Sequence, residues 1–370
     1  MIAPMYDALR RRRWPLAVIV ASVLALVPST ARASNDPLFA KQWALRQIGA
    51  PSAWSVSTGS GVRIGIVDTG VDLAHEDLAD KVVAHTSCID TGGDPGRCRG
   101  SGQDDHGHGT HLAGVAAATK DNGKGVAGVA PGAQLVVAKS LNFAGAGNLE
   151  DINAGIRWVV DHDADVVNLS VGEPLFLLSS LFGTGLREGI DYAWAHGAVP
   201  VLASGNSDVL GLGLGSSDYG DLPALVVGAT NRHGRVTDYS SPTGNARWAL
   251  LAPGGAGTGT DDEDVLSSSW VEGEANQYRA EAGTSIAAPH VAGAVAVLLA
   301  KGSTPQQAVD RILQTVDTRA GCGANSPTCR GRLDVARAVG TGGGPDEPPA
   351  PPPGGGLLDQ LAGLLDLGLL

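Results

Sequence analysis

Three short stretches hold the residue types that acyl-transfer chemistry needs. In IGIVDTG (64–70) an apolar run ends on Asp68 and a glycine turn. A carboxylate at the end of a buried run is costly without a partner; taken alone, a capped turn accounts for it. DDHGHGTHLAG (104–114) brings His106, His108 and His111 close together. Clustered histidines can hold a metal, but HExxH is absent and the spacing does not match a zinc-binding helix. The intervening glycines predict a loop entering a helix, with one histidine presented at its start and His111 packed behind it. AGTSIAAPHVAG (282–293) puts Ser285 where a glycine turn enters a very apolar segment. An isolated GTS reads as a helix N-cap. Here a buried helix would fix the hydroxyl, and its N-terminal dipole would favour developing negative charge. A serine nucleophile requires a base to take its proton and a carboxylate to orient that base. The chain supplies them in the order Asp68, His108, Ser285, and it lacks the GxSxG of lipases and esterases.

Groups so far apart in sequence need a sheet to bring them together. Residues 62–67, 135–140, 165–169, 198–203 and 224–229 are short runs rich in Val, Ile, Leu and Ala without polar alternation. That pattern predicts strands buried on both faces. Helical patterns at 111–119, 148–161 and 187–196 fall between them. The alternation predicts an α/β fold with a mostly parallel sheet, whose carboxyl edge collects the chemistry. Residues 284–300 are apolar almost all round and predict a buried helix. Pro289 falls in its first turn or just after, where a missing N–H does least harm.

The ends of the chain have different compositions. Arg10–Arg13, an apolar stretch over 14–27 and Ala31-Arg32-Ala33 have the form of an export signal over 1–33. The apolar stretch is shorter than the ~20 residues a spanning helix needs. Residues 341–356 are Gly/Pro-rich and read as a linker. Residues 357–370 (LLDQLAGLLDLGLL) form a leucine-rich tail, for which a docking partner is one reading and a flexible end the other. The organisation expected is therefore a signal at 1–33, a catalytic domain at 34–340, the linker and the tail. Loss of 1–33 removes five Arg and one Asp, a net +4, taking the formal charge from −12 to −16. So acidic a chain argues against a nucleic-acid partner. A monomer is expected, outside the cell or in the periplasm. Cys88 with Cys98 and Cys322 with Cys329 form two local pairs without CxxC spacing, and disulfide staples are the preferred reading in an exported protein.

IVDTGVD, HGTHLAG and GTSIAAPHVAG closely resemble the three signature blocks of the subtilases, and residues 36–339 share the likeness. The N-terminal stretch NDPLFAKQWALRQIGAPSAW resembles the arm of thermitase-like members, and VAGVAP and LAPGG look like further family blocks. The resemblance implies a subtilisin-like three-layer sandwich, with helices on both faces of the sheet. It implies a secreted serine endopeptidase acting on polypeptides through an acyl-enzyme. His108 would be the base, Asp68 its orienting partner and Ser285 the nucleophile. Asn206, in ASGNS, would donate to the oxyanion, a contribution of roughly 3–4 kcal/mol. Ser170, Val171 and Gly172 would pair with the substrate backbone. Asp36, Asp77 and Asn122 would ligate a structural Ca²⁺. Three features depart from the pattern. About 34 residues separate the expected cleavage point from Asp68, too few for the inhibitory folding segment many secreted members carry. Residues 208–221 differ at the pocket rim, where Asp218 could select a basic side chain. Residues 173–185 form an extra apolar insertion near the cleft. An esterase or transpeptidase using the same triad, and an inactive peptide-binding scaffold, are the competing readings.

Overall fold

The computed structural model describes residues 34–171, 185–206, 219–323 and 326–342. The export signal, the tail and all but Thr341 and Gly342 of the linker lie outside these residues, as do Gly172, Asp218 and nearly all of the 173–185 insertion.

Among the described residues ten strands form in chain order: β1 Arg63–Asp68, β2 Val82–Ser87, β3 Gln134–Lys139, β4 Val166–Leu169, β5 Val199–Ala203, β6 Leu225–Thr230, β7 Trp248–Pro253, β8 Val265–Val271, β9 Glu274–Glu281 and β10 Cys329–Arg332. Eight of them make one sheet in the order β10-β7-β6-β5-β4-β1-β3-β2, with every pairing parallel. β8 and β9 form a separate antiparallel hairpin. The five strands read from sequence are β1, β3, β4, β5 and β6, each within one residue of its expected bounds.

Among the described residues five longer helices cover the sheet: α1 His108–Ala117, α2 Leu149–Asp161, α3 Arg187–Ala195, α4 Thr284–Leu299 and α5 Pro305–Thr315. The two faces of each strand supply two separate cores. Ile64, Ile66, Leu135, Val137, Val199 and Val201 face one side with residues of α1, α4 and α5. Val67, Val136, Ala138, Val167 and Leu202 face the other with residues of α2 and α3. Period-two alternation into two apolar layers explains why these runs carry no polar alternation. The result is the three-layer α/β sandwich expected, and both local disulfides, Cys88–Cys98 and Cys322–Cys329, are formed.

One boundary differs from the sequence reading, and Pro289 lies just after the first turn as expected. α1 begins at His108, three residues earlier than expected. Pro289 is the sixth residue of α4. Its absent N–H leaves the carbonyl of Ser285, four residues back, without the usual helical donor. Ser170 fills the place: its Oγ donates to Ser285 O at 2.8 Å.

β1 has β4 on one side and β3 on the other, so the chain's winding direction reverses beside it. Ligand crevices of open α/β sheets lie at such a point, outside the carboxyl ends of the strands. Asp68 ends β1, Ser170 follows β4 and Asn206 follows β5 shortly after. α1 is drawn down onto the same edge by Gly109, where an added Cβ would overlap the backbone oxygen of Gly70. We predict that Gly109→Ala, by prising α1 from the Asp68 turn, lowers stability by about 1–3 kcal/mol, read as a lower urea midpoint. An unchanged midpoint would mean the contact is slack.

Candidate active site

His108 is the first residue of α1 and its side chain is 21 % exposed. Its Nδ1 lies 2.7 Å from Asp68 Oδ1. Because the carboxylate can only accept, Nδ1 carries the proton in the neutral ring and Nε2 is left as acceptor. Asp68 is fully buried. Its Oδ1 also accepts from the Thr69 N–H at 2.7 Å, while Oδ2, also buried, accepts from no described residue. A carboxylate so sparsely solvated directs its field at the imidazole. Burial opposes the charged imidazolium, but the Asp68 charge and hydrogen bond outweigh it. The Glu281 and Asp104 carboxylates add to them, and His108 is raised to about 9. By linkage, protonated His108 stabilises the fold below pH 6.5, and that contribution is lost as pH rises toward 9.

The loop delivering His108 is fixed by Asp104, which no sequence signal singled out. Its Oδ1 accepts from the N–H groups of His106 and Gly107, and its Oδ2 from the N–H and Oγ1 of Thr110. From the Asp68 side, Thr69 Oγ1 accepts from Gly109 N at 2.9 Å. The three histidines have separate surroundings. His106 is exposed and its Nδ1 accepts from His108 N. His111 is buried with Nε2 against the carbonyls of Val265 and Arg279, so Nε2 bears its proton. Among the described residues no cluster of three or more His, Cys, Asp or Glu is arranged to hold a metal.

Ser285 is the second residue of α4, entered through extended Gly283. A Cβ on Gly283 would lie 2.8 Å from Ser285 Oγ and 3.4 Å from Asn206 Nδ2. Hydroxyl and amide thus flank one small volume that only glycine leaves open. The Asn206 amide can be oriented unambiguously. Its Oδ1 accepts from Thr284 N (2.9 Å) and Thr284 Oγ1 (3.1 Å), and a backbone N–H demands an acceptor. Nδ2 therefore faces Ser285. Thr284 is in turn held by Gly205 N, which donates to its Oγ1. Behind the nucleophile, buried His290 donates from Nδ1 to Ile286 O, and burial pushes it down to about 4. A neutral His290 resists protonation in the fold, so stability falls as pH drops from 6.5 toward 4.

Ser170 and Val171 are buried at the end of β4, where Ser170 also accepts from Asn168 Nδ2 at 3.0 Å. The residues expected to hold calcium meet away from this edge. Asn122 Nδ2 donates to Asp77 Oδ1 at 2.8 Å, and Asp77 Oδ2 accepts from Val126 N and from Tyr278 OH. Asp36 accepts from the N–H groups of Asp121, Asn122 and Gly123 and so shapes the loop from behind. The two lysines flanking this loop pair with carboxylates, Lys120 with Asp121 and Lys124 with Glu76.

A buried carboxylate on an imidazole, and a hydroxyl at a helix start that shares one small volume with an amide donor, are the groups that a serine nucleophile and its oxyanion require. Comparison with known proteins agrees. The profile of the subtilase family matches residues 59–342. Thermitase of Thermoactinomyces vulgaris is 33% identical over 310 residues, covering 82% of this chain and 98% of thermitase. Subtilisin DY of Bacillus licheniformis is 36% identical over 255 residues, covering 66% of this chain and 79% of its own. Among solved structures, a protease from Pseudoalteromonas arctica superposes with a TM-score of 0.68 at 28% identity, over 83% of this chain and 99% of that one. The chain belongs to the subtilase family and is a subtilisin-like serine protease.

Proposed function

We propose that this protease cleaves internal peptide bonds through an acyl-enzyme formed on Ser285. Two observations support the reading: the bond from His108 Nδ1 to Asp68 Oδ1, and the Ser285 Oγ and Asn206 Nδ2 that share the volume at Gly283. In its neutral form, the ring of His108 takes the Ser285 proton on Nε2 as Oγ attacks the scissile carbonyl. The tetrahedral oxyanion accepts from Asn206 Nδ2 and from Ser285 N–H, which at the second position of α4 has no intrahelical acceptor. The imidazolium, stabilised by Asp68, then protonates the leaving amine. Water attacks the acyl-enzyme with His108 again as base. The substrate chain would lie along Ser170, Val171 and Gly172 as an added strand, a mode that reads main chain more than side chains.

Two further roles complete the proposal. Residues 1–33 direct export, a reading supported by their basic start, apolar middle and Ala-x-Ala end. Asp77 and Asn122 would hold a structural Ca²⁺, with Asp36 shaping the loop. The Asp77 carboxylate supplies hard oxygens at a turn with the Asn122 amide against it, and the nearby lysines are already paired. Presenting Asn122 Oδ1 in place of Nδ2 would require its bond from Lys124 N to break. When bound, the ion would tie the 121–126 loop to the Asp77 turn.

Fluorophosphonate labelling and peptide hydrolysis test the catalytic assignment. Ser285→Ala is expected to abolish labelling and lower kcat by on the order of 10⁶-fold. Asn206→Ala is expected to lower kcat by roughly 10²–10³-fold with little change in KM. Equal labelling of wild type and Ser285→Ala would overturn the nucleophile. The metal is tested by stability: Ca²⁺ should raise Tm and EDTA should reverse the rise, with both effects lost in Asp77→Asn. A Tm indifferent to Ca²⁺ would remove the ion from the account.

A further inference from the structure

Beneath the site lies a buried cation that the hydrolytic steps do not use. Lys139 ends β3, paired in register with Asp68 across the β1–β3 ladder, and it is 7% exposed. Burying an ammonium is strongly unfavourable unless its charge and its donors are met. Lys139 has three donors and three acceptors: Thr69 O at 2.7 Å, Leu141 O at 2.9 Å and Asp105 Oδ1 at 2.6 Å.

These acceptors belong to three different parts of the site. Thr69 follows the triad acid. Asp105 sits in the loop that delivers His108, next to Asp104. Leu141 opens a tight turn in which Gly145 N donates to Asn142 O and Asn142 N donates to Ala146 O. Gly145 in that turn lies against the exposed ring of His106. The backbone strengthens the same junction, since Asp68 O accepts from both Ser140 N and Leu141 N. Asp105 is 44% exposed, so as an ion pair the contact contributes little. Its value is geometric. One ammonium spans the acid turn, the base loop and the turn beside it, and nothing else described bonds all three.

We propose that Lys139 is a positioning residue of the catalytic centre, fixing the Asp68 turn against the loop that carries His108. It touches neither substrate nor reacting atoms and acts through the acid and base. The inference rests on the triad reading. Displacing a catalytic group by about 1 Å can cost 10²-fold in rate, so the effect belongs in kcat.

The test compares Lys139→Met, Lys139→Arg, Asp105→Ala and the Met/Ala double variant in the full chain. It measures kcat and KM on a peptide amide, the fluorophosphonate labelling rate and the urea midpoint. Lys139→Met is expected to lower kcat and labelling rate by about 10–100-fold while KM stays close to wild type, and Lys139→Arg to restore most of the loss. Asp105→Ala is expected to show a smaller loss with an unchanged midpoint, and to add nothing in the Met background, as for residues acting through one contact. Should Lys139→Met not fold, Asp105→Ala decides the matter alone, because its site is exposed. Wild-type kcat in either folded variant, a loss confined to KM, or additive losses would overturn the proposal. Failure of the triad reading looks different: Ser285→Ala would label like wild type whatever occupies position 139.

Discussion

One charge-assisted hydrogen bond, from the imidazole of His108 to the carboxylate of Asp68, sets the terms for the rest of this molecule. A carboxylate with no exposure at the end of β1 is a costly thing to fold around. The surroundings satisfy it only partly, with Thr69 N–H and the imidazole on one oxygen. That incomplete satisfaction leaves the acid's field directed at the ring and outweighs the burial that would otherwise keep the imidazole neutral. The eight-stranded parallel sheet is what makes the placement possible. Its helices and two apolar layers hold the β1 end rigid while its winding switches beside it.

Ser285 and Asn206 are fixed in the same way. Pro289 leaves the Ser285 carbonyl without a helical donor, and Ser170 supplies one from the end of β4. Thr284 holds the Asn206 oxygen, so that the amide nitrogen, and not the oxygen, faces the nucleophile. Asp104 collects four donors of the loop that presents His108. Each bond is modest, about 0.5–1.5 kcal/mol net. Together they leave little to reorganise when charge develops, which is where electrostatic catalysis gains its advantage.

The sequence disclosed most where a segment's environment is uniform. β1, β3, β4, β5 and β6 are buried on both faces, and unbroken apolar runs expose them. β2 was not legible because its residues alternate between half-buried and exposed. β10 is four residues at an edge, and β9 (EANQYRAE) is mostly polar, with no Val, Ile, Leu or Phe. α5 was missed although Thr304 and Gln307 form a capping box around Pro305 at the first helical position, which announces a helix start. Asp68, His108 and Ser285 stood out because each sits at an abrupt change from apolar run to glycine turn. Asp104 and Lys139 did not. Lys139 closes a run that reads only as a strand, and its meaning depends on Thr69, seventy residues away, and on Asp105. Tyr278 likewise reaches Asp77 only through the β8–β9 hairpin.

The account's central claim is the state of the His108 ring, and ¹⁵N NMR of the imidazole as a function of pH measures it directly. The neutral ring should be the Nδ1–H tautomer, and its titration should centre near 9. It should fall toward the ordinary 6.5 or below when Asp68→Asn removes the charge. An Nε2–H tautomer, or a wild-type ring titrating at or below 6.5, would contradict the proposed coupling of acid and base.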